Sequence, residues 1–200
     1  MSTRLRWLLF AGLCFMQWSL PLAMVQRAEQ TLQQGATYRF RTAPVDPVDP
    51  FRGRYVTLDF EAAQIEVPPA WRFETGARLY APIAVDVDGF ARLGVPQAAP
   101  PTRGDWLIVR LQWRDDERHQ VRVDLPFDRY YLDEQLAPEA ERLYWVRNRA
   151  EPGDAEADPR RPTWASVRVL RDTALLDELY IDDVPVRERV KAVLAEDGAP

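Results

Sequence analysis

Four stretches of the sequence hold side chains whose types and spacing could do chemistry. The densest is Phe127-Asp128-Arg129-Tyr130-Tyr131-Leu132-Asp133-Glu134, which sets a cation, two phenols and carboxylates between a candidate strand and a candidate helix. That set suits a small-ligand or peptide site. It equally suits tyrosines that close one end of a β-domain while Arg129 pairs with an acid. Asp133 or Glu134 acting with Tyr130 could also cleave a glycosidic bond in envelope material, since a carboxylate pair suffices, but nothing in the sequence fixes their separation. The second stretch, Pro44-Val45-Asp46-Pro47-Val48-Asp49-Pro50, is pushed toward polyproline geometry because each residue before a proline disfavours the helical region. In that form Asp46 and Asp49 share a side but stand roughly 9 Å apart, too far to clasp one cation at about 2.0–2.6 Å. Asp46, Pro47, Asp49 and Pro50 therefore read as a spacer or docking ridge, with a turn at Asp49-Pro50 as the alternative.

The other two stretches read as turns. Asp86-Val87-Asp88-Gly89 resembles the opening of a calcium loop, but the twelfth position, where an acid is required, is Gln97. A hairpin turn accounts for it. Arg103-Gly104-Asp105 feeds directly into a candidate strand and is read the same way. His119, the only histidine, sits beside an acidic loop and reads as a surface residue.

Counts remove several chemistries. With one Cys and one His, the chain assembles neither an internal disulfide nor a His/Cys zinc cluster, and a histidine-dependent triad would have to use His119. No GxSxG, HExxH or phosphate-binding loop is present, and neither a metal nor a cofactor is expected. The net charge of -5 supplies no basic surface for nucleic acid. All cations but Lys191 are arginine, a bias that a GC-rich genome explains as well as selection for bidentate anion contacts does.

What positions these residues begins at the N-terminus. Arg4 and Arg6 precede an uncharged run from Trp7 to Val25, roughly 28 Å long as a helix and close to a bilayer's hydrocarbon thickness. The run is longer than a signal peptide's apolar region, and Pro21-Leu22-Ala23-Met24-Val25 is a poor cleavage site. An uncleaved anchor is expected, with Cys14 as an apolar residue in lipid. Arg4 and Arg6 then stay cytoplasmic and the body lies outside. They are the only charges in the first 25 residues, so the remainder carries 24 cations against 31 anions, a net -7 that should stand clear of anionic headgroups.

Beyond the anchor, short strands alternate with proline-rich turns. Gln26–Gln34 prolongs the helix and Gly35 stops it. Strands are expected at Thr37–Arg41, at Tyr55–Phe60 with Val56, Leu58 and Phe60 on one face, and at Arg78–Asp86 and Phe90–Leu93 joined through Asp88-Gly89. A further hairpin joins Trp106–Trp113, with Leu107, Val109, Leu111 and Trp113 on one face, to Gln120–Leu125. Pro138 opens a short helix reaching about Arg149. Thr163–Arg171 and Leu175–Asp182 form a last strand pair. The expected fold is mainly β, a small antiparallel barrel or sandwich with one short helix, behind an N-terminal transmembrane helix. Its expected division is an anchor and juxtamembrane helix (1–34), a β-rich extracytoplasmic domain (35–185) and a C-terminal tail or short helix (186–200).

An N-terminal anchor followed by Pro44-Val45-Asp46-Pro47 and then Phe51-Arg52-Gly53-Arg54-Tyr55-Val56-Thr57-Leu58-Asp59-Phe60 resembles the GDYXXLXY family, membrane-anchored bacterial proteins named for that consensus. Arg129-Tyr130-Tyr131 with Glu134, and Leu179-Tyr180-Ile181-Asp182, are similar to the family's later blocks. Arg54 stands where the motif has Asp, and Phe60 where it has a second Tyr, so position 54 supplies no shared acid. The resemblance implies binding candidates at Arg52, Gly53, Tyr55, Leu58, Arg129, Tyr130, Tyr131 and Glu134. It also implies an accessory role, because the family's genes tend to lie beside those of multi-span membrane proteins. The expectation is therefore a single-pass protein of the bacterial inner membrane. Its periplasmic domain docks on an integral membrane partner or envelope component and binds no nucleic acid. An envelope enzyme and an anion sensor are the alternatives.

Overall fold

Period-two alternation in the body of the chain resolves into two five-stranded antiparallel sheets and a two-stranded ribbon. In the computed structural model the described residues are 3–43, 55–132, 136, 139–140, 142–144 and 163–197, with the side chains at 5, 6, 8, 9, 11, 55, 56 and 195–197 outside that set. Asp46, Pro47, Asp49, Pro50, Arg52, Gly53, Asp133 and Glu134 also lie outside it. Helix α1 (Thr3–Gln34) leads into β1 (Ala36–Ala43), β2 (Tyr55–Thr57), β3 (Asp59–Phe60), a 3-10 turn (Glu61–Ala63) and β4 (Gln64–Glu66). Then come β5 (Arg78–Val85), β6 (Ala91–Leu93), β7 (Trp106–Asp115), β8 (Gln120–Asp124) and β9 (Arg129–Tyr131). The chain continues through β10 (Trp164–Leu170), β11 (Thr173–Ile181), β12 (Val184–Pro185) and α2 (Val186–Asp197).

The first sheet has the order β12-β11-β10-β1-β3 and the second β4-β8-β7-β5-β6, while β2 pairs with β9. The two edge strands of the second sheet, β4 and β6, line one cleft, so that sheet is an almost closed barrel. A single core joins both sheets. Phe40, Phe60 and Phe127 meet edge-on or tilted at centroid separations of 5.2–6.3 Å. Leu79, Val109, Leu111, Val121 and Val123 face Val167, Leu179 and Ile181 within the same cluster. Val186 and Val190 of α2 are fully buried in it. Of the two forms expected for the C-terminal segment the chain takes the short helix, α2, which packs on the sheets, as do the helical residues at 139–140 and 142–144.

The hairpins follow their turn chemistry. Gly89 has φ of 84°, which a side chain would strain, and the Asp86 Oδ1 accepts the amides of Asp88 at 3.0 Å and Phe90 at 2.9 Å. Arg41 on β1 then pins this turn through Asp86 at 3.2 Å and Asp88 at 2.9 Å. His119 is exposed in the β7–β8 turn. Asp182 and Asp183, both at positive φ, close the two-residue turn between β11 and β12.

Two expectations need correction. Trp113 does not continue the inward row of Leu107, Val109 and Leu111. The pairing jumps from Leu111↔Val123 to Trp113↔Arg122, so one extra residue, Gln112, bulges β7 and turns Trp113 outward to 40% exposure. Tyr55–Phe60 is not one strand either. It breaks at Leu58, with β2 joining β9 and β3 joining β1, so that Leu58 and Phe60 reach the core from different sheets.

Helix α1 carries large apolar side chains outward from Trp7 to Val25, Trp18 at 70% and Phe15 at 80% exposure. Among the described residues, no helix is long and apolar enough to cross a membrane. Its C-terminal turn is held tightly. Thr31 is buried and the Gly35 amide donates to its carbonyl at 2.9 Å. A Cβ on Gly35 would collide with that carbonyl and lie 3.1 Å from the Val169 carbonyl of β10, both rigid backbone. Gly35→Ala should accordingly lower the unfolding free energy of the chain by about 1–3 kcal/mol. Gly12→Ala, with open space around the added methyl, should leave it unchanged or slightly raised. Denaturant melts of both variants check this, and equal midpoints for Gly35→Ala and wild type would show that the junction is loose.

Candidate functional site

Among the described residues, Tyr55–Leu58 and Arg129–Tyr131, two of the stretches that carry the family resemblance, are distant in sequence and adjacent in space. The ribbon pairs Tyr55 with Tyr131, Val56 with Tyr130 and Thr57 with Arg129. It continues through the Leu58 amide, which donates to the Asp128 carbonyl at 2.8 Å. Alternation along β9 then sorts the three side chains. Tyr130 points inward and is buried, Tyr131 is 61% exposed, and Arg129 lies outward with its Nε 3.7 Å from Asp128 Oδ1. The buried position of Leu58 makes it a packing residue. Of the expected site residues, the structure brings together Tyr55, Leu58, Arg129, Tyr130 and Tyr131, while Arg52, Gly53 and Glu134 lie outside the described residues.

Tyr130 meets the third block through Glu178 on β11. The pairing of β10 with β11 shifts between Ser166↔Glu178 and Val167↔Leu176, which leaves Asp177 as the extra residue of a bulge. Bulges re-aim side chains. Here Asp177 turns to Arg168 at 3.2 Å while Glu178 turns to Tyr130. The Tyr130 hydroxyl donates to Glu178 Oε1, and the Leu179 amide donates to the same oxygen at 3.1 Å. From α2, Arg187 Nε donates to the Tyr130 hydroxyl at 2.9 Å and lies 3.5 Å from Glu178 Oε2, with its guanidinium 5.6 Å from the Tyr130 ring centre. Ser166 closes the set by accepting the Glu178 amide at 3.1 Å.

The electrostatics follow from this packing. Burial first, and then the bond to a carboxylate, push the Tyr130 phenol well above its ordinary range despite the opposing pull of Arg187. The phenol is therefore a donor at neutral pH, not a base or nucleophile. Glu178 is engaged by a phenol, an amide and a guanidinium, so the cluster acts as a polar clasp between β9, β11 and α2. Beside it runs a groove of about 330 Å³ lined by Tyr131, Leu132, Leu136, Arg187 and Lys191. Its two cations one helical turn apart, with one phenol and two leucines, could seat an anionic group that has an apolar flank. Among the described residues, no group of three His, Cys, Asp or Glu could hold a metal ion.

Glu178 and Arg187 are absent from the sequence-based set of candidates. A signal for Glu178 exists. Asp177-Glu178 interrupts the apolar run of β11 with two consecutive acids, a break in period two that marks a bulge. Arg187 has no comparable signal.

The sequence model of the GDYXXLXY protein family matches residues 17–176. The chain belongs to this family. No curated protein and no solved structure matches it significantly. The matched span covers the ribbon and the first four residues of β11, and ends before Glu178, Leu179–Asp182 and α2.

Tyr130→Phe removes one donor from Glu178 and the acceptor of Arg187, and should lower the unfolding free energy at neutral pH by about 1–3 kcal/mol. A phenol whose folded pKa is raised contributes stability in full below its unfolded value near 10, and loses it as pH climbs through the folded value. The gap between wild type and Tyr130→Phe should therefore narrow above about pH 10. Tyr38, pushed up to about 12 by burial and by its bond to Asp105, remains in both proteins and adds an equal alkaline loss to each. Denaturant melts across that range test the sign, and a gap that widens with pH contradicts it.

Proposed function

We propose that this protein is a membrane-anchored, extracytoplasmic accessory domain that docks on an integral membrane partner or envelope component. One observation carries the reading. Around α1, the exposed side chains of Trp7, Phe10, Phe15, Met16, Leu20 and Met24 point to every quadrant at about 100° per residue, whereas the far end of the same helix is packed on the domain. A helix that is apolar all round belongs in an apolar surrounding, and one that faces a core is apolar on a single stripe. The anchor needs the whole uncharged run from Trp7 to Val25, part of whose side chains lie outside the described residues. Gln17, Ser19 and Pro21 lower its apolarity and fall toward the outer half, where they cost least. Arg4 and Arg6 before it orient the domain outward.

The clasp of Tyr130, Glu178 and Arg187 favours a binding role over catalysis, because its groups are spent on one another. A second reading, an anion sensor, draws on the groove between Tyr131, Arg187 and Lys191. It predicts that inorganic phosphate or a short carboxylate raises the thermal midpoint of the full chain and that Lys191→Gln abolishes the rise. An unchanged midpoint across both anions and their homologues removes it.

The docking reading is tested in bacterial cells that express the full chain with photo-reactive residues on the exposed faces of the domain. The protein should sediment with membranes, resist an alkaline wash and be reached by protease only from outside. Cross-linking should retain a discrete membrane or envelope protein through detergent purification. Leu13→Arg with Leu20→Arg should release the chain from the membrane fraction. A wild-type chain found in the soluble fraction, or one recovered alone after efficient cross-linking, overturns the reading.

A further inference from the structure

The second sheet leaves two edges open, and the hydrogen-bond parity of its ladders fixes which backbone groups those edges present. In an antiparallel pair, hydrogen-bonded and non-bonded residue pairs alternate. Between β5 and β6 the Asp86 amide donates to the Phe90 carbonyl at 2.8 Å and the Gly94 amide to the Pro82 carbonyl at 2.8 Å. The bonded pairs are therefore 86↔90, 84↔92 and 82↔94, so the N–H and C=O groups of Ala91 and Leu93 point away from β5. Between β4 and β8 the Val67 amide donates to the His119 carbonyl at 2.8 Å, which makes 67↔119 and 65↔121 the bonded pairs. Gln64 and Glu66 then point away from β8. The Gln64 amide confirms the parity by bonding back to the Glu61 carbonyl. The carbonyl of Gln64 and both peptide groups of Glu66 are left facing outward. Among the described residues, nothing bonds these outward groups of Glu66, Ala91 and Leu93.

Both sets face the same place. Gln64, Glu66, Ala91 and Leu93 line one cleft of about 330 Å³, closed at one end by Arg41 in its pairs with Asp86 and Asp88. Ala91 and Leu93 are buried residues, so their outward peptide groups sit in a recess where an unmet hydrogen bond is costly. The lip on the β4 side carries Glu61 and Glu66, exposed carboxylates with no cation paired to either among the described residues. A row of open backbone donors and acceptors is what an added strand recognises, and the side chains flanking it select the sequence.

We propose that this cleft takes an extended segment of a partner protein, added as a strand along β6 or β4, with a basic side chain of that segment set against Glu61 and Glu66. This deepens the docking reading above and rests on it only for the partner's being a protein.

The experiment uses the full chain in detergent and, as probe, a seven-residue peptide alternating valine and lysine with blocked ends. Amide hydrogen exchange is followed at Glu66, Ala91 and Leu93. Without peptide these amides should exchange much faster than the ladder amides of Arg92 and Ile65. At about ten times the dissociation constant, the peptide should slow Ala91 and Leu93 if it lies along β6, or Glu66 if it lies along β4, roughly tenfold. A peptide N-methylated at alternate residues, which lacks the donors for one edge, should bind at least about tenfold more weakly. Replacing its lysines by glutamate should abolish protection, and Glu61→Gln with Glu66→Gln should weaken the lysine peptide by roughly two- to fivefold. Three results overturn the proposal: amides already as slow as the ladder without peptide, equal binding of the N-methylated peptide, or no protection by any alternating peptide at about 1 mM. If the chain stays in the membrane fraction and still cross-links to a partner in those cases, the docking reading stands and only this recognition mode falls.

Discussion

Three separate parts of the chain meet on one carboxylate. Glu178 receives the Tyr130 hydroxyl from β9 and the Leu179 amide from its own strand, and lies 3.5 Å from Arg187 of α2. A half-buried carboxylate is costly to leave without partners, and Glu178 has three. The bulge at Asp177 exists because both acids need partners on different elements, and β11 accommodates them by a local register shift. Without that shift, period two would send Asp177 and Glu178 to opposite faces, and one of them would enter the aliphatic core. The ribbon of β2 and β9 has only three pairs of residues and could not hold its place alone. It is held because Tyr130 is fastened at one end and Leu58 is buried at the other.

The same logic separates what the sequence states from what only the fold decides. The hairpins of β5 with β6 and β7 with β8 are legible because turn residues and alternating apolar positions lie within one short window. Asp88-Gly89 and the polar Arg114–Arg118 loop each sit between runs of the right period. The break at Leu58 is not legible, because YVTLDF alternates perfectly and only the existence of two different partners, β9 and β1, splits it. The bulge at Gln112 is hidden for a related reason. WLIVRLQW keeps period two through Trp113, and the extra residue shows only in the register of the opposing strand. The clasp was half legible. Tyr130 stood in a conspicuous cluster, Glu178 had a weak signal in its neighbouring acid, and Arg187 was one arginine among many.

Turn chemistry also accounts for where several of this domain's ion pairs stand. Among the described residues, several ion pairs lie at turns, where they fix geometry. Arg41 holds the Asp86–Gly89 turn against the first sheet, and Arg189 holds Asp182 in the turn before β12 at 2.8 Å. Their effect is on register. By holding Asp86 beside β1, Arg41 sets the height at which β6 leaves its hairpin, and so the position of the edge that β6 offers.

That edge is managed differently from the others. On the first sheet, β12 is two residues long and ends in Pro185, which has no amide to offer, and β3 is two residues long and runs straight into the 3-10 turn. Short strands and proline are the usual means of preventing edge-to-edge association. On the second sheet, β4 and β6 have three residues each and no proline, yet they open into a recess instead of onto a flat flank. A recess excludes the broad edge of a folded sheet and admits a single extended chain. The shape that protects the domain from sticking to its copies is therefore the shape that a strand-adding partner would require, and the two glutamates on its lip, with no cation paired to them among the described residues, would favour a basic strand.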